Sequence, residues 1–131
     1  MEKIEKTNED WKETLNEDVY RVTREGGTEA PGTGEYYKHN EEGVYQCSNC
    51  GLELFTSTAK YDSGSGWPSF DDPVKNEHVI VVPDDTHGMH RTEVRCARCD
   101  AHLGHVFDDG PKETTGKRYC VNSLSLDFKH K

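Results

Sequence analysis

The most specific chemistry in this sequence comes from its five cysteines, four of which form two Cys-x-x-Cys pairs. The pairs are Cys47 with Cys50 and Cys96 with Cys99, and 45 residues lie between them. Two such pairs can place four thiolates at the corners of a tetrahedron, which is a usual ligand set for zinc. Four thiolates leave no open position for water, so the pattern predicts a structural zinc ion. Iron in the same cage and a redox-active dithiol pair are the alternatives.

The fifth cysteine, Cys120, cannot join a closed four-coordinate site, and it lies between Arg118 and Asn122. Alternate side chains of a strand share one face, so guanidinium, thiol and carboxamide would project together. A cation beside a thiol lowers its pKa and populates the reactive thiolate. This arrangement favours a redox or nucleophilic enzyme. The alternatives are a zinc-ribbon binding module in which Cys120 is merely a small buried residue, and a thiol peroxidase.

A pair of histidines follows the second cysteine pair, in the segment His102-Leu103-Gly104-His105. Imidazole is the side chain best suited to exchanging a proton near neutral pH. The pattern His-x-x-His is not specific, and surface histidines or outer partners of the metal are alternative roles. The neighbouring cysteine turn would fix the backbone from which both rings project, which favours a catalytic role.

A glycine-rich segment, residues 64–70, brings Trp67 and Phe70 close together in the sequence. Glycines flank Trp67 on a loop, which makes its ring a candidate wall of a binding site. Phe70 is expected in the core. Pro68 suits the first position of a short helix.

The elements that must position these residues are a helical arm and a β body. Residues 1–25 are predicted to be helical because Trp11, Leu15, Val19 and Val22 form one apolar stripe, and Asn16 can cap a second short helix. Residues 28–34 are predicted to be a loop, and 35–131 the β body of mainly antiparallel strands. The predicted strands are Tyr36–Tyr37, Val44–Cys47, His78–Val82, Glu93–Cys96 and an unbroken Arg118–Phe128.

The composition bounds the class of protein. A chain of 131 residues with 31% apolar residues and a mean hydropathy of −0.97 is expected to be one domain with a lean core, which a zinc site would stabilise. A formal charge of −9 argues against binding nucleic acid or anionic membranes. The sequence has no apolar run of membrane-spanning length and no signal peptide, so we expect a cytoplasmic protein.

Taken together, the motifs closely resemble those of the methionine-R-sulfoxide reductases of the B type, from about Trp11 to Phe128. The resemblance implies two antiparallel sheets, one structural zinc ion, and reduction of the R epimer of methionine sulfoxide, free or in oxidised proteins. Regeneration would come from thioredoxin or another thiol, and we expect the protein to be a monomer. The motifs that carry it are 47–51, 63–70, 87–89, 93–96, 99–107, 109–111 and 118–123.

The same resemblance implies roles for individual residues. Cys120 would attack the sulfoxide sulfur, and the two histidines would polarise or protonate the oxygen. Asn122 and Arg118 would order the site and favour the thiolate, with Asp109 holding the guanidinium. The implied catalytic group is Cys120, His105, His102, Asn122, Arg118 and Asp109. The implied substrate-binding residues are Trp67 and Phe107.

Two positions depart from the family pattern. Ser65 stands where many members carry a resolving cysteine, and no other unassigned cysteine is present. A sulfenic acid formed on Cys120 would therefore need an external thiol. Gly32 stands where the family often has an aromatic residue, which leaves open how the arm covers the substrate side.

Overall fold

The computed structural model describes residues 2–131, apart from the side chain of His87. Two short helices open the chain, α1 (Asn8–Thr14) and α2 (Glu17–Arg24). Thr7 and Asp10 form a capping box at the start of α1, and the Asn16 side chain accepts a hydrogen bond from the backbone N–H of Val19, 2.9 Å away. The predicted second helix and its Asn16 cap are thus confirmed, whereas residues 2–7, also predicted to be helical, precede the first helix.

The helical arm packs over both cysteine turns. Arg24 donates a hydrogen bond to the carbonyl of Cys99 at 2.8 Å, and the backbone N–H of Ile4 donates to Arg98 O at 2.7 Å. On the other turn, the Asn49 amide donates to the hydroxyl of Thr23 at 3.1 Å. The arm therefore covers the polar backbone of the two turns, where buried unpaired groups would be costly.

Nine strands among the described residues form two antiparallel sheets, as predicted. The three-stranded sheet has the order β2–β1–β9, and the six-stranded sheet has the order β3–β4–β8–β7–β6–β5. The strands are β1 (Gly43–Cys47), β2 (Glu53–Thr56), β3 (Lys60–Tyr61), β4 (Ser69–Phe70), β5 (Val79–Asp84), β6 (Arg91–Cys96), β7 (His102–Phe107), β8 (Arg118–Val121) and β9 (Leu126–His130).

Aromatic side chains join the two sheets. Phe70 of β4 stacks on Phe55 of β2 with ring centroids 4.4 Å apart, and it meets Tyr45 of β1 edge to face at 5.2 Å. All three are fully buried, so the placement of Phe70 in the core is confirmed. Such pairs contribute about 0.5–1.5 kcal/mol beyond the burial of their apolar area. A small set of large rings thus compensates for the low apolar content.

The predicted unbroken strand from 118 to 128 is wrong. β8 ends at Val121, a 3-10 turn occupies Ser123–Ser125, and β9 then pairs in the other sheet. The Ser125 hydroxyl donates to the carbonyl of His102 at 2.8 Å, which holds the turn against β7. The polar side chains of Asn122, Ser123 and Ser125 therefore offer the backbone an alternative to a continuous ladder. Leu126 and Phe128 do not extend the face that carries Cys120.

Three smaller expectations also differ from the structure. Tyr36 and Tyr37 lie in a turn, where Tyr36 packs its ring against Tyr45 at 5.5 Å. Pro68 begins no helix, because the chain passes directly into β4, which pairs with β8. His78 belongs to a 3-10 turn before β5. The loop at 28–34 contains no helix or strand, as predicted. Within residues 2–131, no helix is long and apolar enough to cross a membrane.

Candidate active site and metal centre

A cavity of about 240 Å³ opens over β7 and β8, and Cys120 lies on its wall. Cys120, the candidate nucleophile, therefore borders a cavity. The binding-module alternative required it to be a packed core residue. A larger depression of about 560 Å³ between β1, β2 and β9 contains no cysteine. The smaller cavity is where reactive groups converge. Six sequence-predicted residues line it: Trp67, His105, Phe107, Arg118, Cys120 and Asn122.

Strand register brings the thiol beside a histidine. His105 of β7 and Ser69 of β4 both pair with Cys120, from opposite sides of β8. Directly opposed residues in an antiparallel pair have Cβ atoms about 4.5–5.5 Å apart. Gly104 permits this approach, since a Cβ there would lie 1.9 Å from the carbonyl oxygen of Cys120. The thiol and the imidazole are thus neighbours because β7 and β8 pair, although they lie far apart in the sequence.

An irregularity in β7 brings the two histidines together. Val94 pairs with Gly104 and Arg95 pairs with His102, so Leu103 is an extra residue in β7. In a regular strand, side chains three residues apart project to opposite faces. The bulge cancels that change of face, and the two imidazole centroids lie 5.6 Å apart. Nothing in the sequence pattern indicated this bulge.

Asp84 of β5 holds the histidine that lines the cavity. Its Oδ2 lies 2.7 Å from Nε2 of His105, which leaves Nδ1 of the imidazole available for a ligand. Hydrogen bonds from Thr86 and from His105 hold the pKa of Asp84 well below its usual range. Burial lowers the pKa of His105, and the bond to Asp84 opposes that shift. The carboxylate thus favours the imidazolium form inside a partly desolvated site.

The second histidine has a carboxylate of its own. Nδ1 of His102 lies 2.6 Å from Oε2 of Glu93, and Arg95 donates to Oε1 of the same carboxylate at 2.9 Å. Burial alone would raise the pKa of Glu93, but these two hydrogen bonds outweigh it and the pKa is lowered. His102 is buried and does not line the cavity. It contacts the site through the ring of His105.

The sequence gives no local signal for either carboxylate. Asp84 and Glu93 lie on different strands, 21 and 9 residues before their histidines. Only the pairing of β5, β6 and β7 brings them together. One weak pattern could have indicated these carboxylates. Each is an acidic residue on a strand that precedes the strand carrying the two histidines, and side chains alternate between the faces of a strand.

The environment of Cys120 differs from the expectation of a low-pKa thiol. Burial raises its pKa, and this outweighs the lowering effects of Ser65, whose Oγ lies 3.9 Å from the sulfur, and of Arg118. Arg118 is itself held by Asp109 through two bonds of 2.9 and 3.3 Å, and its guanidinium stacks over Phe107 at 4.3 Å. At neutral pH the free protein therefore holds mainly the thiol, with a fixed cation beside it.

The 28–34 loop holds the cavity together, through a residue that the sequence analysis missed. The backbone of Glu29 donates to Oδ1 of Asn122 at 3.1 Å, and its carbonyl accepts from Nε1 of Trp67 at 3.0 Å. The Glu29 side chain also accepts from the backbone of Leu124. Asn122 in turn donates to the carbonyl of Leu103 at 3.0 Å. Both Trp67 and Asn122 thus depend on this loop for their orientation.

Gly32 contributes to the same contact. Its N–H donates to the carbonyl of Gly66 at 2.7 Å, and its φ of 76° lies in the left-handed region that favours glycine. The arm therefore reaches the tryptophan loop through backbone hydrogen bonds, without an aromatic side chain at this position.

The four paired cysteines meet in one cluster. Their sulfurs all lie within 4.8 Å of one another, and the Cys47–Cys99 and Cys50–Cys96 sulfur distances are both 3.6 Å. These distances exceed a disulfide bond of about 2.05 Å. They fit the edge of a tetrahedron around zinc at about 2.3 Å from each sulfur. The residues present therefore suit a four-thiolate zinc ion, with all ligand positions taken.

Local turn geometry explains the cluster. Gly51 and Asp100 follow the pairs with φ of 80° and 64°, as expected for residues that close tight turns. The guanidinium of Arg98 donates a hydrogen bond to the carbonyl of Cys50, which places a cation beside the cluster. Cys47 ends β1 and Cys96 ends β6. A metal here would join the two sheets.

Comparison with known proteins agrees with this site. The SelR domain family matches residues 15–130. A peptide methionine sulfoxide reductase MsrB of Thioalkalivibrio sulfidiphilus is 59% identical, covering 94% of this chain and 89% of that protein. One of Chromohalobacter salexigens is 54% identical, covering 97% and 96%. A probable methionine-R-sulfoxide reductase B of Caenorhabditis elegans is 54% identical, covering 98% and 89%.

Among solved structures, the Yippee-like domain of Mis18 superposes with a TM-score of 0.55 at 20% identity, covering 70% of this chain and 98% of that one. This likeness concerns the fold alone. The family match extends over both cysteine pairs, the two histidines and Cys120. The chain therefore belongs to the SelR family, the methionine sulfoxide reductases of the B type, and is an oxidoreductase.

Proposed function

We propose that this protein reduces methionine-R-sulfoxide, free or within oxidised proteins, to methionine, and that Cys120 carries the oxygen away as a sulfenic acid. The observation that carries this proposal is the pairing of Cys120 with His105 on the wall of one cavity, which Trp67 also lines. The product enzyme is regenerated by an external thiol such as thioredoxin, because no other cysteine outside the four-sulfur cluster is present.

The substrate would place its methyl group against an apolar wall and its oxygen near a proton donor. Trp67 and Phe107 supply the wall, and His105 supplies the donor. Positively charged Arg91, which also lines the cavity, lies 3.5 Å from the carboxylate of Asp84. The site would select the R epimer because only one epimer can place its methyl group against the apolar wall and its oxygen near His105 at the same time.

The chemical step balances within this group. The sulfur of Cys120 bonds to the sulfoxide sulfur while His105 protonates the oxygen, which makes that oxygen able to leave sulfur. Oxygen then passes to Cys120, giving a sulfenic acid and methionine. The substrate sulfur gains two electrons and the cysteine sulfur loses two. Arg118 stabilises the thiolate that must form before attack.

The thiolate would form chiefly in the substrate complex. In the free protein, burial keeps the pKa of Cys120 raised, so the resting thiol is protected from indiscriminate oxidation. A bound sulfoxide that excludes water would strengthen the attraction between the sulfur and the nearby guanidinium. The resting state and the reactive state thus differ in the charge on one sulfur.

A zinc ion held by Cys47, Cys50, Cys96 and Cys99 would serve the fold in this proposal, since it has no open position for substrate. The turn that contains Cys99 leads directly into β7, which carries both histidines. A rigid cluster there would fix the start of that strand. We further propose that the protein acts as a monomer in the cytoplasm, where it repairs oxidised methionines.

Steady-state turnover tests the proposal. Resolved R and S epimers of a methionine sulfoxide dipeptide are supplied with dithiothreitol, or with thioredoxin and its reductase, and methionine is measured. We expect consumption of the R epimer alone with at least one of these reductants. Turnover of both epimers, or activity only with hydroperoxide, would refute the assignment. A Ser69→Ala variant, altered beside Cys120 but retaining the thiol, serves as the matched control for Cys120→Ser.

A further inference from the structure

Cys120 has two chemically different sides. β8 lies between β7 and β4, so His105 flanks the thiol on one side and Ser69 flanks it on the other. A chain of hydroxyls continues on the second side. The Ser63 Oγ lies 2.6 Å from Ser69 Oγ and 2.9 Å from Ser65 Oγ, and the latter is 3.9 Å from the Cys120 sulfur.

A second cavity borders this hydroxyl chain. It has a volume of about 510 Å³, and Tyr61, Asp62 and Pro111 line it. It shares Ser65 and Arg118 with the substrate cavity, and the Oγ of Ser65 lies 3.9 Å from the Cys120 sulfur. We call it the serine-side groove. Asp109, which holds Arg118, lines the groove as well. The proposed reduction of the sulfoxide does not use Tyr61, Asp62 or Pro111.

The groove contains a cation that it shares with the substrate cavity. Arg118 lines both, and its guanidinium would attract a thiolate. Tyr61 also lines the groove, but its hydroxyl is buried and has no hydrogen-bond partner among residues 2–131, so a ligand reaches that oxygen only if the ring moves.

We propose that the serine-side groove binds the thiol that reduces the Cys120 sulfenic acid. This inference rests on the proposed function, because it concerns the intermediate formed there. Displacement at a sulfenic sulfur requires the attacking thiolate to approach opposite the departing oxygen. In the proposed reduction His105 protonates the oxygen, so the oxygen lies on the His105 side of the sulfur. The in-line approach therefore lies on the serine side.

The reaction balances with two thiols. The first thiolate bonds to the Cys120 sulfur, the S–O bond breaks, and the oxygen leaves as water with a proton from His105. A second thiolate attacks the outer sulfur of the mixed disulfide and releases the Cys120 thiolate. The two external thiols are oxidised to a disulfide, and the sulfenic sulfur is reduced by two electrons.

Charge in the groove predicts which thiols are accepted. The Arg118 guanidinium is already paired with Asp109, whereas Asp62 has no cation within 4 Å among the described residues. With a chain charge of −9, the groove should therefore disfavour anionic thiols. Neutral or cationic thiols such as dithiothreitol and cysteamine should react faster than mercaptosuccinate at low ionic strength.

The test separates the two half-reactions. Reduced enzyme is mixed with one equivalent of the R sulfoxide, the methionine burst is measured, and decay of the sulfenic acid with added thiol is followed by dimedone trapping and mass spectrometry. Pro111→Trp fills the groove, and Lys112→Trp places the same ring on the exposed neighbouring residue. We expect Pro111→Trp to slow decay by about tenfold or more with the burst unchanged, and Lys112→Trp to change neither.

Comparing dithiothreitol with thioredoxin shows whether the groove binds a small thiol or a protein thiol. Slowing with dithiothreitol alone assigns the groove to small thiols, and slowing with thioredoxin alone assigns it to a protein thiol. An intact burst with unchanged decay for both reductants would overturn the proposal, while absence of a burst in the wild-type protein would overturn the proposed function instead. If Pro111→Trp loses its burst, the Asp62→Lys variant tests the groove in its place. Relative to cysteamine, mercaptosuccinate should then reduce the sulfenic acid about threefold faster than it does in the wild-type protein. An unchanged ratio would refute the groove.

Discussion

Replacing Gly104 by alanine should disrupt the active site through the backbone alone. Gly104 of β7 pairs with Val121 of β8. A Cβ there would lie 1.9 Å from the carbonyl oxygen of Cys120 and 3.0 Å from Cα of Val121. Both contacts are with main-chain atoms, which cannot rotate away as a long side chain can. The two strands must therefore separate by about 1 Å or more, since packed interiors leave few voids to absorb the added group.

The size of the effect follows from that separation. Overpacking of this kind costs about 1–3 kcal/mol, and weakened ladder hydrogen bonds add about 1 kcal/mol. We expect the variant to lose about 3 kcal/mol of unfolding free energy and about 10 °C in melting temperature. The same movement shifts Cys120 relative to His105, and a displacement of about 1 Å can cost about 100-fold in rate.

The assay compares Gly104→Ala with Gly26→Ala in thermal melts, metal content and R-epimer turnover. Gly26 has a φ of 70° and nothing within 4 Å of its would-be Cβ, so its substitution tests left-handed strain without a clash. We expect about 1 kcal/mol of destabilisation and normal turnover for that control. A Gly104→Ala variant with wild-type melting temperature and turnover would refute the β7–β8 register on which the site depends.

Three further predictions concern the metal, the histidine and the thiol. Cys96→Ser should lose zinc and melt at a lower temperature, and a variant that kept both in metal analysis and thermal melts would contradict a structural metal. Asp84 raises the pKa of His105, so Asp84→Asn should lower that pKa further. The methionine burst should then decline at a lower pH than in the wild-type protein. An unshifted pH profile would exclude that contact from the proton transfer. Alkylation of Cys120 in the free protein should keep rising with pH beyond the ordinary thiol pKa of about 8.5, because burial raises its pKa, and a plateau at neutral pH would contradict this.

The features that could be predicted from sequence are those that depend on neighbouring residues. A Cys-x-x-Cys turn closed by Gly51 or Asp100 has one favourable backbone geometry, and a side chain such as Asn16 caps its own helix. The alternation of Arg118, Cys120 and Asn122 was enough to place three side chains at one cavity. Each of these inferences uses contacts within a few residues.

The features that escaped prediction depend on long-range pairing. The contact of Asp84 with His105 requires β5, β6 and β7 to be in register, and the bulge at Leu103 is invisible to strand periodicity. Glu29 lies in a loop of no regular pattern, yet it meets Asn122, 93 residues later. The break after β8 arises because the chain changes sheets, which alternation of side chains cannot indicate.

The most direct test of the central claim is a single turnover without any reductant. Excess reduced enzyme is mixed with the R or the S epimer, and methionine, intact protein mass, zinc and dimedone adducts are measured together. We predict one methionine per R sulfoxide, one oxygen atom added at Cys120, retention of zinc, and no methionine from the S epimer or with Cys120→Ser. Methionine formed by Cys120→Ser would contradict Cys120 as the nucleophile. Loss of two hydrogens from the wild-type chain with no dimedone adduct would contradict a sulfenic acid that persists until an external thiol arrives.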